Sequence, residues 1–207
     1  MKIVLFVEGQ TEEMVLGSFF RRWLDARLPR RIGVRTVHFT GWSDYYDKIS
    51  TRAELYLSGK TGADVIAGIG LLDLYGPDFY PRGTTTTAER YSWGKRHLEE
   101  KVGHPRFRQH FAVHETEAWL LAAPEILPRE VRAALPGRSA RPEEVNFDQP
   151  PSKLLARLYR EKLSRSYKKV IDGASLFRAL APEQALEKCP YLKSLLNEMI
   201  QLAQGEA

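Results

Sequence analysis

The chain has 207 residues, enough for one good core or for one domain with a helical annex. Its 43% hydrophobic and 28% charged content excludes a disordered or low-complexity chain. A formal net charge of +5 favours an anionic partner, nucleic acid first, although so small an excess also suits a basic surface without one. Cys189 is the only cysteine, which rules out an intrachain disulfide and a Cys-based zinc cluster. No apolar stretch approaches the roughly 20 residues a membrane span needs, so a soluble, cytoplasmic protein with no membrane attachment is expected.

Lys2 to Val7 is a continuous apolar run, the pattern of a strand buried on both faces. Gly9 then allows a sharp turn. Thr11 with Glu12 and Glu13 reads as a helix start, a hydroxyl cap followed by acids that the dipole favours. Val15, Leu16, Phe19, Phe20, Trp23 and Leu24 give that helix one apolar face, and Pro29 stops it. Ile32 to Phe39 predicts a second strand, Asp44 to Leu57 a helix, and Ala63 to Leu72 a third strand ending on Asp73. A loop from Tyr75 to Gly83 follows, then a helix over Thr87 to Val102, a strand over Phe107 to Val113 and a helix over Glu115 to Ala122. This alternation specifies an α/β fold with a parallel sheet flanked by helices. Residues 1–123 form that domain, and residues 124–207 form a helical region packed on it. Pro124 to Pro151 reads as a helical turn and a long connection. Helices are expected from Ser152, with Leu154, Leu155, Leu158 and Leu163 inward, and over Tyr191 to Leu202.

Three of the four strands end on or just before acids: Glu8, Asp73, and the pair Glu115 and Glu117. Open α/β sheets form their sites at the carboxyl ends of strands. Carboxylates suit a hard divalent cation, and crowded carboxylates repel one another without one. Glu8 reads as a metal ligand or general acid–base, or as a carboxylate placed by a helix dipole. Glu12 has the same two readings, with the dipole favoured. His114 either assists proton transfer or is a hydrogen-bonded strand-end residue, and Glu115 reads as solvated. Lys153 to Lys169 carries seven lysines and arginines against one acid, Glu161. On a helix, Lys153, Arg157 and Arg160 share a face that either holds phosphates or is merely solvated. Tyr75, Phe79 and Tyr80 either stack on bases or pack over the sheet edge.

Glu8-Gly9-Gln10-Thr11-Glu12 resembles the first motif of Toprim domains, in the form found in the overcoming-lysogenization-defect nucleases. Asp73-Leu74-Tyr75-Gly76, His114 to Leu121, Pro150 to Lys153, Tyr167 to Gly173 and Cys189-Pro190-Tyr191 follow in order. Together they resemble a Toprim-like bacterial family, domain of unknown function 4276, over nearly the whole chain. The resemblance implies a Toprim-like, Rossmann-like sheet and a Mg²⁺ or Mn²⁺ site built from Glu8, Glu12, Asp73 and Glu117. It implies a metal-dependent nuclease, and some Toprim-like relatives work beside ATPases in phage defence. The alternative is a binding module for nucleic acid or an ATPase partner. Tyr75 stands where a Toprim D-x-D has its second acid, so Glu117 or Glu12 supplies the missing carboxylate, or the site holds one metal or none. No G-x-x-x-x-G-K-[ST] is present, so ATP hydrolysis would belong to a partner protein.

Overall fold

The computed structural model describes residues 1–144 and 150–205, the side chain of Arg138 excepted. Its sheet is parallel throughout, in the order β2-β1-β3-β4. The two inner strands, β1 (Lys2–Val7) and β3 (Val65–Asp73), are the apolar runs of the sequence, and Ile3 to Val7 are wholly buried. β2 (Gly33–His38) is an edge strand with alternating exposure, and β4 (Phe107–Ala112) closes the other edge. The period-two alternation of β1 divides the core in two. Ile3, Leu5 and Val7 face α1 (Gln10–Asp25), while Val4 and Phe6 face α2 (Trp42–Leu57) and α3 (Thr87–Val102).

The remaining helices are α4 (Glu117–Ala122), α5 (Arg129–Ala133), α6 (Pro151–Leu163), α7 (Ala174–Ala179), α8 (Pro182–Leu186) and α9 (Pro190–Gln204). Their apolar residues join the α1 side of the core, where Trp119, Phe177, Leu195 and Met199 meet Ile3, Leu5 and Phe19. Polar ties hold this layer in place. The Trp23 indole N–H donates to the Leu196 carbonyl at 3.1 Å, and Arg22 donates to the carbonyls of Phe177 and Leu180 at the end of α7. The expected parallel sheet between helical layers, with a C-terminal helical annex, is therefore what the chain forms. Among the described residues, no helix is long and apolar enough to cross a membrane.

Three local expectations need correction. Helix α1 begins at Gln10 with Gly9 as its N-cap, so Thr11 lies inside the first turn and caps nothing. Gly9 is extended (φ −148°), a conformation open to any residue, so it supplies no glycine-requiring turn. The basic stretch is helical only to Leu163. Ser164 takes a left-handed conformation (φ 52°), and a wide helical turn, Lys169–Gly173, follows. Residues 145–149 of the long connection lie outside the described residues.

Candidate active site

The chain passes from β1 to β2 on one side and returns to β3 on the other, so strand order reverses between β1 and β3. A crevice opens at the carboxyl ends of strands at such a point. Val7 pairs with Leu71, so Glu8 leaves β1 beside the end of β3, whose last residue, Asp73, is still paired with Ala112. The backbone N–H groups of Asp73 and of Trp42, first residue of α2, face the Glu8 carboxylate. Glu12 enters from the first turn of α1, and Glu117 from the first turn of α4. A cavity of about 410 Å³ is lined by Glu8, Glu12, Asp73 and Lys169, among others. Glu117 does not line that cavity and joins the group through Lys169, so the four acids singled out in the sequence are neighbours.

Their electrostatics are those of overcrowding. Burial raises the pKa of Glu8, and the neighbouring Glu12 charge adds to the rise. Asp73 is raised well above the usual carboxylate range by burial and then by Glu8. Burial likewise raises Glu117, against the pull of Lys169. Oε2 of Glu8 is buried with no hydrogen-bond partner among the described residues. Such an atom is costly unless something cationic or protic serves it.

The one ammonium in the cluster is Lys169, at 3.3 Å from Oε1 of Glu12 and 3.2 Å from Oε1 of Glu117. Burial opposes its charge, but Glu117, Asp73 and Glu12 outweigh that and hold it protonated. Sequence reading took Lys169 as the end of a basic stretch and part of the Tyr167 to Gly173 motif, because nothing local signals a contact with Glu12, 157 positions earlier. The turn that delivers it is itself clamped. Arg165 makes a two-pronged contact with Asp172 at 2.9 and 3.1 Å, and the Lys168 N–H donates to Asp172 at 2.7 Å.

Lys153, Arg157 and Arg160 are exposed on α6 and do not line the cavity. Their helix is nonetheless tied to the site. Glu115 is not a solvated acid: its carboxylate accepts from the Ser152 backbone N–H and hydroxyl, each at 2.9 Å, and so caps α6 from the end of β4. His114 sits in the left-handed region (φ 66°) and stacks on Tyr75 at 5.1 Å. Both line a second cavity, about 350 Å³, on the far side of Asp73. The Tyr75 hydroxyl is engaged with Thr87 Oγ1 at 2.7 Å. Phe79 and Tyr80 pack with Tyr46 and Trp93 over the sheet edge.

The donor set fits a hard divalent cation: carboxylate oxygens only, one of them buried without a partner. Among the described residues, no three His, Cys, Asp or Glu side chains already stand in the arrangement of a metal site. Lys169 occupies the position between Glu12 and Glu117 instead.

A family model described as "Domain of unknown function (DUF4276)" matches residues 7–200. No curated protein matches the chain. Among solved structures, the C-terminal region of the Burkholderia pseudomallei OLD protein aligns at 17% identity and a TM-score of 0.49, over 99% of this chain and 98% of that one. The C-terminal region of the Xanthomonas campestris pv. campestris OLD protein, phased with mercury, aligns at 18% identity and a TM-score of 0.47, over 99% of this chain and 98% of the other.

Proposed function

The chain belongs to the DUF4276 family, and from that premise we propose that it is a Mg²⁺- or Mn²⁺-dependent phosphodiester-acting protein, a nuclease. The observation that carries the reading is four acids gathered past the strand ends, two of them, Glu12 and Glu117, ion-paired to Lys169, and Glu8 close enough to Asp73 to raise its pKa. A purely structural cluster gains little from several buried acids whose ionisation burial opposes. Glu8 and Asp73, with Glu12 and Glu117, would hold the ion, which would supply Lewis-acid chemistry at a phosphodiester.

Lys169 has a role of its own. Its ammonium, already held protonated among the acids, is placed to bind a non-bridging phosphoryl oxygen when substrate enters the cavity. Lys153, Arg157 and Arg160 would contact phosphates farther along the strand, on a helix whose position Glu115 sets through Ser152. ATP hydrolysis, if the activity needs it, would come from a partner ATPase, in the setting of phage defence that the family resemblance suggests.

The second reading is a binding module without catalysis. Tyr75 favours it, because its hydroxyl is spent on Thr87 and contributes no carboxylate to the cavity. Incubating the protein with single- and double-stranded DNA and RNA, in Mg²⁺ or Mn²⁺, separates the two. Cleavage that stops with chelator supports the nuclease. Binding without cleavage under either metal, with and without a candidate ATPase, leaves the module.

A further inference from the structure

His38 is the last residue of β2 and is paired with Val7, one residue before Glu8. Val7 packs on the α1 side of the sheet and Val37 on the other, so the His38 side chain stands on the α1 side. There its Nδ1 lies 2.7 Å from Oε2 of Glu13, on the first turn of α1. A carboxylate can only accept, so Nδ1 carries the hydrogen and Nε2 presents a lone pair. Nε2 makes no hydrogen bond among the described residues. Both partners are held at the backbone: Arg52 donates to the His38 carbonyl at 2.8 Å, and Thr36 Oγ1 donates to the Glu13 carbonyl at 3.1 Å. The two side chains are 38% and 37% exposed, and an ion pair so open to water adds little stability. Its position suits another use, because His38 lines the same cavity as Glu8, Glu12 and Asp73.

We propose that His38 is the general base of phosphodiester hydrolysis in this cavity, and that Glu13 is the residue that positions it. This rests on the nuclease reading above and adds the group that takes the proton. The strands that carry His38 and Asp73 flank β1 on opposite sides, two strand spacings or roughly 10 Å apart. That separation sets the imidazole away from an ion held at Glu8 and Asp73, and leaves space between them for a phosphoryl group and a water. As the water oxygen bonds to phosphorus, its proton passes to Nε2. The ester P–O bond breaks, and the leaving oxygen takes that electron pair and then a proton from solvent. The Glu13 carboxylate faces the imidazolium that results.

The test pairs cleavage with a signal that needs no metal. In metal-free protein, nitrogen NMR should show neutral His38 as the Nδ1–H tautomer, and Glu13→Ala should shift it towards the other. His38→Gln should cleave DNA roughly a hundredfold more slowly in Mg²⁺ or Mn²⁺. Its binding to the same DNA in Ca²⁺, and its thermal midpoint, should match wild type. The loss should be as large on a p-nitrophenyl ester of a nucleotide, whose leaving group needs no proton, and dissolved imidazole should restore part of the rate to His38→Ala. Glu13→Ala should lower kcat about tenfold at an unchanged KM. Wild-type cleavage by His38→Gln, or an Nε2–H tautomer in the wild type, overturns the base and leaves the nuclease reading standing. A loss that vanishes on the p-nitrophenyl ester makes His38 an acid, and binding weakened in step with cleavage makes it a phosphate contact; either result removes the base. A wild type that cleaves nothing overturns both readings.

Discussion

Two charged clusters in this protein have opposite stoichiometry. Around the carboxyl ends of β1, β3 and β4, four acids lie near Lys169, which pairs with two of them, Glu12 and Glu117. Between β4 and α9, one carboxylate, Glu198, is served by Lys95 at 3.1 Å, Arg108 at 3.3 Å and His110 at 2.7 Å. His110 is buried and its pKa is lowered by that burial, so its Nε2–H donates to Glu198 while Nδ1 accepts from the Tyr91 hydroxyl. Burial opposes ionisation of Glu198 too, but these partners hold its pKa down at about 2. The oversupplied acid is finished as a piece of architecture. The undersupplied acids are not, and that deficit is what the proposed function rests on.

The sharpest break of this comparison is to neutralise one acid at each place. Glu8→Gln and Asp73→Asn should each lower cleavage by roughly a thousandfold, since an amide keeps the shape but loses the charge that holds the cation. The same substitutions should leave the thermal midpoint unchanged or raise it, because relieving like-charge repulsion stabilises. A midpoint that drops by several degrees would mean these acids support the fold after all.

At the other cluster the signs reverse. Glu198→Ala leaves Lys95, Arg108 and the buried His110 without their shared acceptor, and should cost about 3 kcal/mol, or roughly 10 °C. Specific activity of the protein that remains folded should stay near wild type. Calorimetry beside a cleavage assay reads both quantities.

The smallest effect is in pH dependence. Glu8, Asp73 and Glu117 have raised pKa values in the fold, so their contribution to stability is fullest below about pH 4 and declines as pH rises through the raised values. Glu198 runs the other way, contributing above about pH 4.5 and losing that contribution as pH falls towards 2. With chelator, the midpoint should therefore decline from mildly acid to neutral pH, and Mg²⁺ should flatten the decline. A slope indifferent to Mg²⁺ would detach it from the acid cavity.

The half of the site that was legible in the sequence is the half written locally. Glu8 and Asp73 stand out because each ends an unbroken apolar run, and a run of that kind has little choice but to become an inner strand. Glu117 was legible from its place just past the fourth strand and within the His114 to Leu121 motif, since β4 itself, with Arg108, Gln109 and His110, is no apolar run. Lys169 was not, since its meaning depends on a turn closed by Arg165 and Asp172 and on contacts with Glu12 and Glu117 far back in the chain. Glu115 looked solvated because its partner, Ser152, lies 37 residues away. Thr11 misled through propensity alone: hydroxyls favour caps, but here backbone geometry gave the cap to Gly9.

The order of the site residues along the chain has a consequence for synthesis. All four acids precede residue 118, while the lysine that answers them comes 52 positions after Glu117. At about 5–20 residues per second, an emerging chain carries the four acids without that lysine for roughly 3–10 s. During that interval protons or divalent cations from the surroundings are what can balance them. The acids are thus made well before the one side chain that pairs with two of them.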